Sequence, residues 1–158
     1  MQGDARMIEA LNARLAEELT AISQYTVHAE MLENWHYGKL YDPVWQRAIT
    51  EMKHAEKLIE RILFLDGAPS LTEPIQLTVG RNVKEQIESD LNLEIGAVGM
   101  YNAAIRTSRE EGDNASAELF ERLLKDEEEH ADWLEAQQHL MNEIGYERYL
   151  SQQIREEK

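Results

Sequence analysis

The stretch TEMKHAEK, residues 50–57, sets Glu51 and His54 three residues apart with Met52 between them, in a segment whose apolar residues recur at helical spacing. On an α-helix that spacing leaves Glu51 and His54 about 60° apart on one face, while Met52 points about 100° away from Glu51. A second stretch, DEEEHADWLE at residues 126–135, repeats the chemistry with Glu127 and His130. These two pairs are 76 residues apart, and the same offset separates Glu18 from Glu94 and Tyr25 from Tyr101. The chain reads as one helical hairpin doubled in sequence, weak in overall identity and strong in its polar residues.

Around these pairs helix breakers are sparse, with three prolines and eight glycines, most of them at boundaries between long stretches of helical period. The pattern predicts a first helix from an Asp4 cap to about Trp35, and a second that opens on Asp42 with Pro43 at its first position and runs to Gly67. Residues 68–81, APSLTEPIQLTVGR, suit a crossover along a bundle. Asn82 with Glu85 starts a third helix ending near Glu111 and Gly112. Asn114 opens a fourth running to Gly145, and YERYLSQQIREE supplies a short fifth element. The expectation is an all-α four-helix bundle forming a single domain over residues 1–158.

Core positions written as alternating steps of three and four expose the chemistry. The seams are Ile8, Leu11, Leu15, Glu18, Ile22, Tyr25, Ala29, Leu32; then Val44, Ala48, Glu51, Ala55, Leu58, Ile62, Leu65; then Ile87, Leu91, Glu94, Val98, Tyr101, Ile105; and Phe120, Leu124, Glu127, Ala131, Leu134, Gln138, Met141. Each seam holds one glutamate, near its middle. Four carboxylates meeting at one level of a bundle would each cost several kcal/mol to bury uncompensated, against a net domain stability of about 5–15 kcal/mol. Neither lysine nor arginine occupies these seams, so the positive charge is expected from outside the chain.

Two divalent cations balance four carboxylates. Glu51 with His54 can reach one ion and Glu127 with His130 another, with Glu18 and Glu94 completing a set of six ligands. The absence of cysteine leaves only oxygen and nitrogen donors, and oxygen-rich ligation with one imidazole per metal suits iron or manganese. One Glu from each of two helices plus Glu-x-x-His from each of the others is the di-iron carboxylate pattern of helical bundles, and its expected chemistry is redox. Tyr25 and Tyr101, seven residues beyond Glu18 and Glu94, could donate hydrogen bonds or an electron, or simply pack the core. His28, His36 and His139 receive no role.

Composition narrows the class further. A chain of 158 residues that is 42% hydrophobic suffices for one core. Its net charge of −15 repels nucleic acid and anionic membranes and attracts cations. The N-terminal segment MQGDARMIEALNARLAEEL has no long apolar run, so neither a signal peptide nor a membrane span is expected, and the lack of cysteine fits a reducing cytoplasm. Met52 belongs to a second apolar stripe with Trp45, Ile49 and Ile59, which implies a subunit contact on that side of helix two.

In its start MQGD, the segments EMKHAEKLIERILFLDG and DEEEHADWLE, and the ending YLSQQIRE, the chain resembles bacterioferritin, the haem-containing branch of the ferritins, over essentially its whole length. The resemblance implies a ferritin-like four-helix bundle with a long crossover between helices two and three and a short fifth helix. It implies a hollow shell of twenty-four subunits, built from two-fold dimers, that oxidises Fe(II) and stores Fe(III) mineral. Glu18 and His54 would be terminal ligands on one iron, Glu94 and His130 on the other, with Glu51 and Glu127 bridging, so that each subunit holds two iron ions. Tyr25 would be a catalytic neighbour. Met52 and its copy across a two-fold axis would clasp the iron of one haem b per subunit pair, and a ferredoxin-type donor would supply electrons for iron release. The chain departs from the family at Gln46 and Thr50, where a histidine and an aspartate are common, and at Thr26, where an aromatic is common.

Two other functions compete. A rubrerythrin-like di-iron peroxidase or oxidase without storage shares the fold, but normally brings a cysteine-ligated iron domain. A haem-binding or purely structural shell with an inert metal site is the second.

Overall fold

The computed structural model describes residues 1–71 and 75–156. Its elements are α1 (Ala5–Asn34), α2 (Gly38–Phe64), α3 (Val83–Glu110), α4 (Asn114–Ile144) and a short α5 (Tyr146–Ser151), with no strand among the described residues. Three of the long helices begin on side-chain caps: Asp4 accepts from the Arg6 N–H, Asn82 from Glu85 and Asp113 from Ser116, each satisfying a donor that the first turn leaves unpaired. Glu85 does not return to Asn82 as a full capping box would; its carboxylate binds the Arg81 N–H and guanidinium instead.

Helices α1 and α2 pack as one hairpin and α3 and α4 as another. Contacts from Asn12 to Ala68 and Ser70, from Gln24 to Thr78 and from His28 to Gly80 show the crossover running along α1 in the direction of α1. It therefore returns the chain to the end where α2 began, so α3 lies antiparallel to α1, and Tyr25 meets Glu94 while Tyr101 meets Glu18. Across the opposite face α2 and α4 are antiparallel too, with His54 against Asp126 and Arg61 against Asp113.

Several sequence expectations shift. α2 opens at Gly38 rather than at Asp42, leaving Pro43 inside the helix, because the added turn buries Leu40 and receives the C-terminal segment: the Lys39 N–H donates to the Gln153 carbonyl, and Arg155 binds both the Gly38 carbonyl and Asp42. Asp42 is thus an ion-pair partner, not a cap. The same helix stops at Phe64, three residues before Gly67, where Asp66 takes a positive φ of 57° and the Gly67 N–H returns to the Ile62 carbonyl. Among the described residues the fifth element is helical only over Tyr146–Ser151, anchored by Tyr149, whose hydroxyl donates to Gln137. Ile8, Ile22, Val98, Ile105, Leu124 and Gln138 are half-buried rather than core, while Met7, Ala21, Ala104 and Leu123 take the interior, because a strict three-four seam drifts around a helix of 3.6 residues per turn.

The apolar interior is divided. One cluster gathers Tyr25, Ala29, Leu40, Val44, Ile87, Leu134 and Tyr149; the other gathers Met7, Leu11, Leu58, Ile62, Tyr101 and Phe120. Between them lies a polar layer to which each long helix contributes one buried glutamate.

Candidate metal centre

Glu18, Glu51, Glu94 and Glu127 sit at one level of the bundle because each occupies the seam position facing the axis, and all four are buried. His54 follows Glu51 by one turn and places Nδ1 3.0 Å from Glu127 Oε1, 3.1 Å from Glu51 Oε2 and 3.6 Å from Glu18 Oε2. His130 does the same on α4, with Nδ1 3.3 Å from Glu51, 3.4 Å from Glu94 and 3.9 Å from Glu127. Two donor groups result, Glu18–Glu51–His54–Glu127 and Glu51–Glu94–Glu127–His130, each with ligand atoms within 4.8 Å of one another. Glu51 and Glu127 belong to both. All six residues read from the sequence are thus brought together.

Whether this layer fits metal can be judged from its own unmet demand. Glu18 Oε2, Glu51 Oε1, Glu94 Oε2, Glu127 Oε1 and His130 Nδ1 are buried without a hydrogen-bond partner. Buried polar atoms are nearly always paired, and five orphans converging in one layer match the donor set that two hard or borderline cations require.

Protons carry the charge balance of the protein alone. Burial, reinforced by the neighbouring Glu18 carboxylate, pushes the Glu51 carboxyl well above the usual range. Burial and the adjacent Glu127 push Glu94 up to about 10. Burial works against the Glu18 anion, but the adjacent Glu51 carboxyl and His54 imidazolium outweigh it and hold that carboxyl below its ordinary value. At His54 burial opposes the imidazolium, yet Glu127, Glu18 and Glu51 together raise it far above the normal histidine range.

Tyr25 and Tyr101 donate from their hydroxyls to Glu94 and Glu18 respectively, each reaching across the α1–α3 interface to the other helix's glutamate. Burial first, then the nearby carboxylates, holds both phenols well above their ordinary range, so they stay donors at any working pH.

Sequence reasoning missed four neighbours. Arg47 Nε lies 3.9 Å from Glu51 Oε1, and the Arg14 guanidinium stacks 5.1 Å over the Tyr101 ring. Both precede a seam glutamate by four residues, which was the available signal. Asp126 Oδ2 lies 2.8 Å from His54 Nε2. His28, to which the sequence assigns no role, is 0% exposed: its Nε2 accepts from the Gly80 N–H, so Nδ1 carries the proton to Asp90 at 2.8 Å, and Asp90 also accepts from Gln24. Between α2 and α4 a cavity of about 290 Å³, lined among others by Val44, Thr50, Trp133 and Leu134, reaches His130. Met52 lies away from the layer, 42% exposed on the outer side of α2 beside Trp45 at 38%.

The family model for the ferritin-like domain matches residues 8–144. Bacterioferritin from Mycolicibacterium paratuberculosis is 41% identical, over 96% of this chain and 96% of its own, and bacterioferritin from Rhodobacter capsulatus is 45% identical over 92% and 90%. Among solved structures, Mycobacterium tuberculosis bacterioferritin BfrA superposes with a TM-score of 0.95 at 40% identity, covering 98% of both chains.

Proposed function

Because this chain belongs to the bacterioferritin family, whose function is iron storage, we propose that it oxidises ferrous iron at the buried carboxylate layer before storing it as ferric mineral. The observation that carries this reading is the pair of donor groups sharing Glu51 and Glu127, with five unpartnered buried atoms turned toward one another. Iron is the substrate here, and two ferrous ions together supply two electrons, which with two protons reduce either dioxygen to hydrogen peroxide or hydrogen peroxide to two waters.

In this proposal Glu18 with His54 holds one ion, Glu94 with His130 holds the other, and Glu51 and Glu127 span both. Tyr25 and Tyr101 orient Glu94 and Glu18 by donating to one oxygen of each, which leaves the second oxygen, the orphaned Oε2, for the ion. Loading must displace the protons held on Glu51 and Glu94 and the extra proton of His54. Packing from the two apolar clusters closes the layer above and below, while the cavity between α2 and α4 opens beside His130.

The shell of twenty-four subunits, the cytoplasmic setting and the ferredoxin-type electron donor belong to the same proposal. No helix among the described residues is long and apolar enough to cross a membrane. For haem, the exposed thioether of Met52 beside Trp45 is the supporting feature, and Met52 from two copies would hold it. Haem in that position would supply an electron path through the shell wall.

Adding ferrous iron and air to the metal-free protein tests the reading. Fast oxidation of about two ions per chain is expected, followed by slower mineral growth in a very large particle. Glu51→Ala and His130→Ala should lose the fast phase while the particle still assembles; a wild-type rate in both would reject the assignment of these ligands.

A further inference from the structure

The 76-residue offset that pairs the ligands also pairs their neighbours, and there the repeat breaks: Asp126 beside His54 corresponds to Thr50 beside His130. We propose that Asp126 is a positioning residue for His54, that Thr50 leaves His130 without one, and that the two metal positions therefore hold a divalent cation with unequal strength. The inference rests on the di-metal reading of the proposed function and adds a difference between its halves.

The geometry on the two sides differs at each step. His54 has one nitrogen toward the carboxylate layer and the other 2.8 Å from Asp126 Oδ2. A carboxylate accepts only, so it fixes the proton on Nε2, leaves the Nδ1 lone pair for an ion, holds the ring plane and raises the basicity of the ligating nitrogen. His130 presents Nδ1 to Glu51 and Glu94, but its Nε2 makes no hydrogen bond among the described residues. The Thr50 hydroxyl is committed to its own helix, donating to the Gln46 carbonyl at 3.1 Å. Both Thr50 and His130 line the 290 Å³ cavity between α2 and α4, where the mirrored carboxylate would lie. The His130 side chain is correspondingly the more exposed of the two, 17% against 4%.

Losing such an outer partner typically costs about 10–100-fold in metal affinity. Two cations sharing bridging carboxylates repel each other, so unequal binding steps in the natural protein are not by themselves diagnostic; their response to exchanging the two neighbours is. The experiment is anaerobic binding of Co²⁺ to the metal-free protein, followed by its visible absorption, with circular dichroism and gel filtration confirming that each variant folds and assembles. Thr50→Asp should tighten the weaker step by about tenfold or more and leave the tighter one in place, whereas Thr50→Asn should not. Asp126→Ala should weaken the tighter step by about 10–100-fold, and Asp126→Glu should recover part of it.

A Thr50→Asp isotherm superimposed on that of the natural protein would overturn the proposal, as would an equal gain from Thr50→Asn or unchanged steps in Asp126→Ala. Fewer than two Co²⁺ bound per natural chain would instead defeat the di-metal reading itself.

Discussion

Glu51 has neighbours of both signs, with Glu18 and Glu127 on one side and His54 and Arg47 on the other, and burial decides in favour of its proton. That residue, like its three counterparts, was legible in the sequence because a glutamate breaking an apolar seam at helical spacing has few structural explanations. Arg14, Arg47 and Asp126 were not, because each sits off the seam and becomes a neighbour only once helices pack. Met52 is a different case: its place on an outward face was readable, but what it touches there depends on a second chain. Since its side chain is 42% exposed and packs against nothing in the layer, Met52→Leu should change stability by no more than about 0.5 kcal/mol. If Met52 holds haem as proposed, the variant should lack the haem absorption band of the purified protein and keep ferrous oxidation near the natural rate. Haem retained in that variant would reject Met52 as the axial ligand.

The elements owe their placement to contacts of very different sequence range. Helix interiors and the Asp4 and Asn82 caps followed from local pattern, whereas the Asp113 cap of α4 was not read and the early start of α2 did not follow, because its reason lies more than a hundred residues away in Gln153 and Arg155. The crossover is the clearest case of order imposed by tertiary contacts, being held by Gln24, His28 and Asp90 in a buried chain of hydrogen bonds that fastens Thr78 and Gly80 to α1 and α3. Asp90→Ala removes the acceptor from two buried donors, and each unsatisfied group costs about 1–3 kcal/mol. A lower midpoint in urea is expected, together with faster proteolytic cutting in the crossover than in the helices. A midpoint unchanged from the natural protein would show that the network holds nothing.

For the whole molecule, the carboxylate layer links stability to pH with a definite sign. Glu51, Glu94 and His54 all keep protons in the folded metal-free protein at pH values where the unfolded chain has released them. Stability from these groups is full below their ordinary values, 4.5 for the carboxyls and 6.5 for the imidazole, and is lost as pH rises toward the raised ones. Glu18 acts oppositely, but its contribution fades only as pH falls below the ordinary carboxyl value. The thermal midpoint of the metal-free protein should therefore drop between about pH 5 and pH 9, and bound Co²⁺ should flatten that slope while releasing protons into a weakly buffered solution. Metal uptake without proton release would contradict a layer whose charge is balanced by protons. The polar layer also parts the apolar interior into two clusters that share no residue, one holding Ile87 and the other Ile62. Substitutions on opposite sides of it should behave as events in separate proteins: Ile87→Val and Ile62→Val, each costing about 0.5–1.5 kcal/mol, should sum in the double variant to within about 0.5 kcal/mol. Either half of the bundle could then drift in sequence without requiring a matching change in the other.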